Sequence, residues 1–136
     1  DDMEGSDLLS QLPACLDFIH DALGGGGKCY VHCMSGVSRS AAVVLAYVMR
    51  ERALGYDAAF DVLHTARPSV DPNAGFIAQV KMFASMGFEL DGTDPIHAKY
   101  RLQRIAAQRK QRTGSHTFKL RPLLAADPGA AAADVD

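Results

Sequence analysis

This 136-residue chain lacks most of the features that would classify it by composition alone. It has no run of about 18 apolar residues, which excludes a membrane-spanning helix. It shows no leader with a basic start, an apolar middle and a small-residue end. Cysteine is scarce: Cys15, Cys29 and Cys33 are an odd set and make no paired disulfide framework. No charge dominates, since 14 Lys and Arg stand against 16 Asp and Glu for a net charge of -2. No strong field therefore marks the whole molecule for nucleic acid or a membrane surface. His20, His64, His97 and His116 are scattered, without the spacing of metal ligands. No initiator methionine precedes Asp1-Asp2, so the chain reads as a fragment of a longer protein.

What is present is a globular composition, 48% hydrophobic and 22% charged, at the length of one domain. The unpaired cysteines suit a reducing compartment, cytoplasm and nucleus, where a free thiol stays reactive. Leu8, Leu9, Leu12, Leu16, Ile19 and Leu23 recur at helical spacing, with Ser6 or Asp7 as a candidate cap. Pro13 predicts that the regular helix starts near it, after a looser turn, or bends there. Gly24 to Gly27 must end that helix. Lys28-Cys29-Tyr30-Val31-His32 is rich in β-formers and predicts a buried strand. A mostly apolar helix follows from about Arg39 to Ala53. Asp57 is expected to cap a helix carrying Ala58, Phe60, Val62 and Leu63, stopped by Arg67-Pro68. Asp71, with Pro72 at the first position, is expected to open another, whose buried stripe is Phe76, Ile77, Val80, Phe83 and Met86. Asp94-Pro95 opens a last helical stretch to about Arg112. Residues 113–136 have few apolar anchors beyond Phe118, Leu120, Leu123 and Leu124, and read as a low-complexity tail. One strand cannot be a sheet, so partner strands are expected upstream of Asp1.

The chemistry lies in His32-Cys33-Met34-Ser35-Gly36-Val37-Ser38-Arg39-Ser40, a strand, a tight loop and a helix start. Successive N–H groups in such a loop, here Met34, Ser35, Gly36, Val37 and Ser38, make an anion nest. The helix that follows adds its positive dipole end. Gly36 opens backbone conformations closed to other residues. Arg39 supplies a planar fork for two phosphate oxygens. A cysteine at a helix N-terminus beside an arginine should be a thiolate at neutral pH and therefore a nucleophile. Cys15 and Cys29 fall on apolar segments and read as packing. A cysteine and an arginine six positions apart say little alone. The added His, Gly and Ser at fixed places make the pattern specific.

With those residues the chain resembles the dual-specificity phosphatases of the protein tyrosine phosphatase superfamily, whose signature is His-Cys-x-x-Gly-x-Ser-Arg-Ser. The resemblance runs from about Asp2 to Gly87 and includes Asp7-Leu8-Leu9, Asp17-Phe18-Ile19, Ala46-Tyr47-Val48-Met49, Arg67-Pro68, Pro72-Asn73-Ala74-Gly75-Phe76 and Gln79. Met86-Gly87-Phe88-Glu89 and Tyr100-Arg101-Leu102-Gln103 look like the dual-specificity phosphatase 12 subfamily. The resemblance implies an α/β, protein tyrosine phosphatase-like fold, here its helix-rich C-terminal portion with one evident strand and the upstream strands missing. It implies a partial catalytic domain over 1–88, a basic helical extension over 89–112 and a linker or tail over 113–136. It implies Cys33 as nucleophile, Arg39 as phosphate binder, Ser40 as the hydroxyl that helps the sulfur leave, and His32 hydrogen-bonding behind the loop. Asp2 is the general acid it implies, 31 residues before Cys33 and five before Asp7, with Asp1 the close alternative. No cofactor and no metal are required.

The implied activity is hydrolysis of phosphotyrosine, and of phosphoserine and phosphothreonine, through a phosphocysteine intermediate. The subfamily joins this domain to a C-terminal zinc-binding domain, absent here since no cysteine follows Cys33. It also implies a link to assembly of the large ribosomal subunit. Lys99, Arg101, Arg104, Arg109, Lys110 and Arg112, with no acid among them, then read as either a solvated face or a contact for pre-ribosomal particles or RNA. The rival reading is a scaffold that binds phosphorylated or acidic partners, with catalysis incidental. Rhodanese-like or arsenate-reducing chemistry also uses a loop thiolate but does not fit the Ser-Arg-Ser ending.

Overall fold

The computed structural model describes residues 3–114, with side chains through Gln111. Asp1 and Asp2, and the tail with His116, Phe118, Leu120, Leu123 and Leu124, lie outside the described residues. The chain divides into two units, residues 1–101 and 102–136.

The first unit opens with a 3-10 turn, Leu9–Gln11, that runs into α1, Leu12–Gly24. Pro13 sits in the first turn of α1, where its missing N–H costs nothing, so the looser turn precedes the regular helix as its ring demands. Three more helices follow, α2 (Arg39–Arg52), α3 (Tyr56–Ala66) and α4 (Ala74–Ser85). The helix α5, Pro95–Gly114, begins in the first unit and continues into the second. Asp94 caps it, its Oδ1 accepting the Ile96 N–H at 2.7 Å.

The helix α2 is the centre of the first unit, with α1, α3 and α4 packed around it. Its Ala41, Ala42, Leu45, Ala46 and Met49 are buried. The alanines let neighbouring helices approach closely, and the space is filled by larger side chains from outside. Leu9, Leu12, Leu16 and Ile19 come from the N-terminal side, Phe76, Val80 and Phe83 from α4, and Ala59 from α3. Burying each large side chain contributes about 1.5–3 kcal/mol. The terminus of α4 follows its sequence closely. Gly87 takes φ +70°, the Phe88 N–H reaches the Phe83 carbonyl at 2.9 Å, and the Phe88 ring packs edge-on against Phe83. That is a Schellman stop with its hydrophobic contact.

Three expectations are corrected. Residues 28–32 form no strand, and no strand occurs among the described residues. A strand is defined by its ladder, and none of the described residues offers one to this segment. Nor is the segment fully buried: Cys29 and Val31 are half-buried, while Lys28, Tyr30 and His32 are exposed. Half-buried and exposed residues thus alternate as they would along a strand, without a ladder partner among the described residues. The second correction concerns α4, which is capped not by Asp71 but by Asn73, whose Oδ1 accepts the Phe76 N–H at 2.9 Å. Pro72 lies before the cap and is buried. The third concerns α3, which starts from Gly55, so Asp57 lies in its first turn rather than at the cap. There it still faces the positive end of the helix.

Candidate active site

The loop from Cys33 to Ser38 joins the extended segment to α2. Gly36 adopts φ +69°, a left-handed conformation that costs an L-residue about 1–2 kcal/mol. That turn brings the Gly36 N–H to 3.2 Å from the Cys33 sulfur. The Ser40 hydroxyl, buried on the first turn of α2, lies 3.2 Å from the same atom. Burial raises the pKa of Cys33, but donors outweigh it: the Ser40 hydroxyl, and the backbone N–H groups of Ser40, Gly36 and Ser35. Together they lower it from 9.0 to about 6. Arg39 is not among the causes, so the loop amides and Ser40 do what the sequence reading assigned partly to a neighbouring cation. Burial alone pushes the Cys15 thiol up, as packing cysteines behave.

The next loop buttresses this one. The Asp71 N–H donates to the Val37 carbonyl at 2.9 Å, and the Asn73 N–H donates to the Ser38 hydroxyl at 3.1 Å. Ser38 is buried and makes no side-chain cap to α2, because its oxygen faces Asn73 instead. Above the loop opens a cup of about 220 Å³, lined among others by Cys33, Met34, Ser35, Gly36, Ser40 and Arg67. On the other side of Cys33 a groove of about 580 Å³ runs between α1 and residues 29–33, lined by Cys15, Phe18, Cys29, Arg39 and Val43 among others.

The structure thus gathers Cys33, Met34, Ser35, Gly36 and Ser40 at the cup. Val37 and Ser38 carry the outer contacts of the loop to Asp71 and Asn73. Arg39 is half-buried and lines the groove rather than the cup. His32 is exposed, stacks on Tyr30 with ring centroids 5.2 Å apart, and lines both the cup and the groove. Asp2 lies outside the described residues. Arg67, a helix stop and part of the family resemblance in the sequence but given no role at the site there, has its guanidinium directly over Gly36 and lines the cup. Its distance in sequence hid the contact. The glycine that makes room for it was the one signal.

Comparison with known proteins matches residues 1–86 to the model of the dual specificity phosphatase catalytic domain. The chain belongs to the dual-specificity phosphatase family. Dual specificity protein phosphatase 12 of Mus musculus is 41% identical over 104 residues, covering 76% of this chain and 31% of that protein. Dual specificity protein phosphatase MPK-4 of Drosophila melanogaster is 40% identical over 104 residues, 76% of this chain and 26% of that one. The chain thus spans under a third of the length of these relatives.

Among solved structures, a mouse dual specificity phosphatase complexed with zinc tungstate superposes with a TM-score of 0.61 at 41% identity, over 63% of this chain and 54% of that one. The human tyrosine phosphatase-like serine/threonine/tyrosine-interacting protein gives 0.63 at 34% identity, over 65% and 59%. The Yvh1 phosphatase domain of Chaetomium thermophilum gives 0.62 at 30% identity, over 67% and 65%. The fold of this dual-specificity phosphatase chain is therefore protein tyrosine phosphatase-like. No helix among its described residues is long and apolar enough to cross a membrane.

Proposed function

We propose that residues 1–88 are the C-terminal portion of a cysteine-dependent catalytic domain that hydrolyses phosphotyrosine, and phosphoserine and phosphothreonine, on protein substrates. Residues 89–112 are its basic extension and 113–136 its linker. The carrying observation is the Cys33 sulfur, with a pKa of about 6, facing three backbone donors and the Ser40 hydroxyl at the floor of a cup. A thiolate and a phosphate dianion need the same donors, so the site that ionises the sulfur also receives the substrate.

In the proposed first step the Cys33 thiolate attacks phosphorus and the P–O bond to the substrate breaks. Asp2 gives its proton to the leaving oxygen. Met34, Ser35, Gly36, Val37 and Ser38 present backbone amides to the phosphoryl oxygens. Arg39 adds its fork, which requires its guanidinium to turn from the groove toward the cup. In the second step water attacks the phosphocysteine, Asp2 takes its proton, and Cys33 leaves as a thiolate stabilised by the Ser40 hydroxyl. His32, which precedes Cys33 and lines the cup, hydrogen-bonds behind the loop and tunes the thiolate. A reducing compartment, cytoplasm and nucleus, keeps all three free cysteines reduced.

The test is turnover of a phosphotyrosine peptide by wild type and Cys33→Ser. Loss of turnover, with a phosphorylated wild-type protein trapped on acid quench, is expected. Equal turnover by the two proteins refutes the assignment. A second reading is favoured by the basic stretch 99–112 of α5, where Lys99 and Arg101 are exposed. In it the chain is a scaffold for phosphorylated or acidic partners, among them pre-ribosomal particles or RNA. Pull-down with wild type and Cys33→Ser separates the two, because scaffolding survives loss of the sulfur.

A further inference from the structure

Ser38 stands at the N-cap of α2 and does not cap it. A capping serine takes an extended backbone, and its hydroxyl accepts the N–H of the second or third helical residue, here Ser40 or Ala41. Ser38 has φ -110° and ψ -69° and makes no such bond. Its hydroxyl instead accepts the Asn73 N–H at 3.1 Å, and the residue is buried. The Ser40 N–H, which a capping Ser38 could take, is one of the donors that hold Cys33 as a thiolate. A hydroxyl and a sulfur therefore have a claim on one amide. A second bond holds the peptide just before. The Asp71 N–H donates to the Val37 carbonyl at 2.9 Å. Across a trans peptide the carbonyl and the next N–H point in opposite directions, so the Ser38 N–H is turned away from Asp71.

We propose that the Asn73 N–H and the Ser38 hydroxyl are a positioning pair for the phosphate-binding loop: the bond keeps the hydroxyl off α2, so the first-turn amides stay open to the Cys33 sulfur and to a phosphoryl oxygen. The pair serves the phosphatase chemistry proposed above and rests on that reading. A helix capped by its own serine has one first-turn donor fewer to offer. A loop that binds a dianion needs those donors free and already aimed. A donor from outside the helix meets both needs, because it satisfies the hydroxyl where the hydroxyl does no harm. Asn73 is well placed for this. Its Oδ1 accepts the Phe76 N–H at 2.9 Å, which fixes Asn73 to α4. The helix α4 is in turn anchored in the core by Phe76, Val80 and Phe83.

The test uses the full chain, the pH dependence of Cys33 alkylation by iodoacetamide, and protection of Cys33 by inorganic phosphate. Asn73→Pro removes the N–H, and φ -63° at this position accepts the proline ring. Asn73→Ala is the reference, since it loses the same cap of α4 and keeps the N–H. The titratable and charged groups that line the cup and the groove with Cys33, namely Tyr30, His32, Arg67, Cys15, Cys29 and Arg39, are the same in every variant. Against the reference, Asn73→Pro is expected to raise the alkylation midpoint by about half a pH unit or more, and the phosphate needed for half protection about threefold. Adding Ser38→Ala to Asn73→Pro removes the competing hydroxyl, and both values are expected to return to those of the reference. A merely structural contact gives the reverse, because a second lost group adds to the first. If Asn73→Pro precipitates, Ser38→Ala alone decides: it is expected to unfold at lower urea with no rise in the midpoint. Three results overturn the pair and leave the reading of the cup standing: a raised midpoint in Ser38→Ala, an Asn73→Pro equal to Asn73→Ala, or a double variant no better than Asn73→Pro. A wild-type sulfur that phosphate does not protect overturns the reading of the cup and the pair with it.

Discussion

The guanidinium of Arg67 lies over Gly36 so closely that a β-carbon there would sit 2.6 Å from Nη2. Gly36 also has φ +69°. Two costs therefore attach to Gly36→Ala, and they differ in kind. Arg67 is exposed and its side chain can swing away cheaply. The left-handed backbone cannot change without moving the N–H that points at Cys33. Gly36→Ala is expected to lose about 1–2 kcal/mol of stability in urea melts, and the double variant with Arg67→Ala the same amount. A double variant restored to wild-type stability would show that crowding, not backbone strain, fixes the glycine.

Ionisation of Cys33 is open to direct titration. Its rate of alkylation by iodoacetamide is expected to rise with an apparent pKa of about 6. Ser40→Ala removes the foremost of the lowering donors and is expected to move that midpoint upward, toward 9.0. A midpoint unchanged in the variant would mean that the amides alone hold the thiolate.

The same shift makes stability depend on pH. A folded pKa below the unfolded value means that, between the two, the unfolded chain binds the extra proton. The stabilising contribution of Cys33 is therefore fully present above about 9.0 and is lost as pH falls through about 6. The stability difference between wild type and Cys33→Ser, measured by urea melts, is expected to be more favourable to wild type at pH 9 than at pH 6. The opposite trend would contradict the ionisation state.

Much of this was legible in the sequence because it is local. The loop, its glycine and the nucleophile lie within one short segment, and Pro13 and Gly87 act on their own helix ends. The readings that needed distant partners went astray. Asp71 and Asn73 are both good caps next to the same helix. The choice fell to Asn73, whose φ and ψ of -63° and 157° suit a cap. The Asp71 N–H is spent on Val37, 34 residues earlier. The run 28–32 has the composition of a strand, but a ladder takes two segments. Arg67 over Gly36, and Asn73 on Ser38, are contacts that no spacing rule reaches.

The terminus of α2 offers a stabilising change that leaves the site alone. Ala53 has φ 51°, and the Leu54 N–H returns to the Met49 carbonyl at 3.1 Å. This is the position where helices favour glycine. The left-handed alanine costs about 1–2 kcal/mol, while glycine gives back about 0.5–1 kcal/mol through the unfolded chain. Ala53→Gly is expected to gain about 0.5–1 kcal/mol, with unchanged Cys33 alkylation. A loss of stability would show that the chain here relaxes around its alanine.

The groove beside Cys33 bears on the stability of the whole chain. Phe18 and Tyr30 border it at 70% and 87% exposure, and residues 28–32 along it pair in no ladder among the described residues. Large apolar side chains left in water contribute little to folding, and unpaired extended backbone contributes less. The order of the chain should then reside in the packing of α2 against α1, α3 and α4, with residues 39–87 the last to open. Thermal unfolding is expected below about 60 °C, with hydrogen exchange slowest in α2 and α4 and fast at residues 28–33. A cooperative transition above that temperature, with residues 28–33 as protected as α2, would mean that the extended segment is held by interactions other than those described.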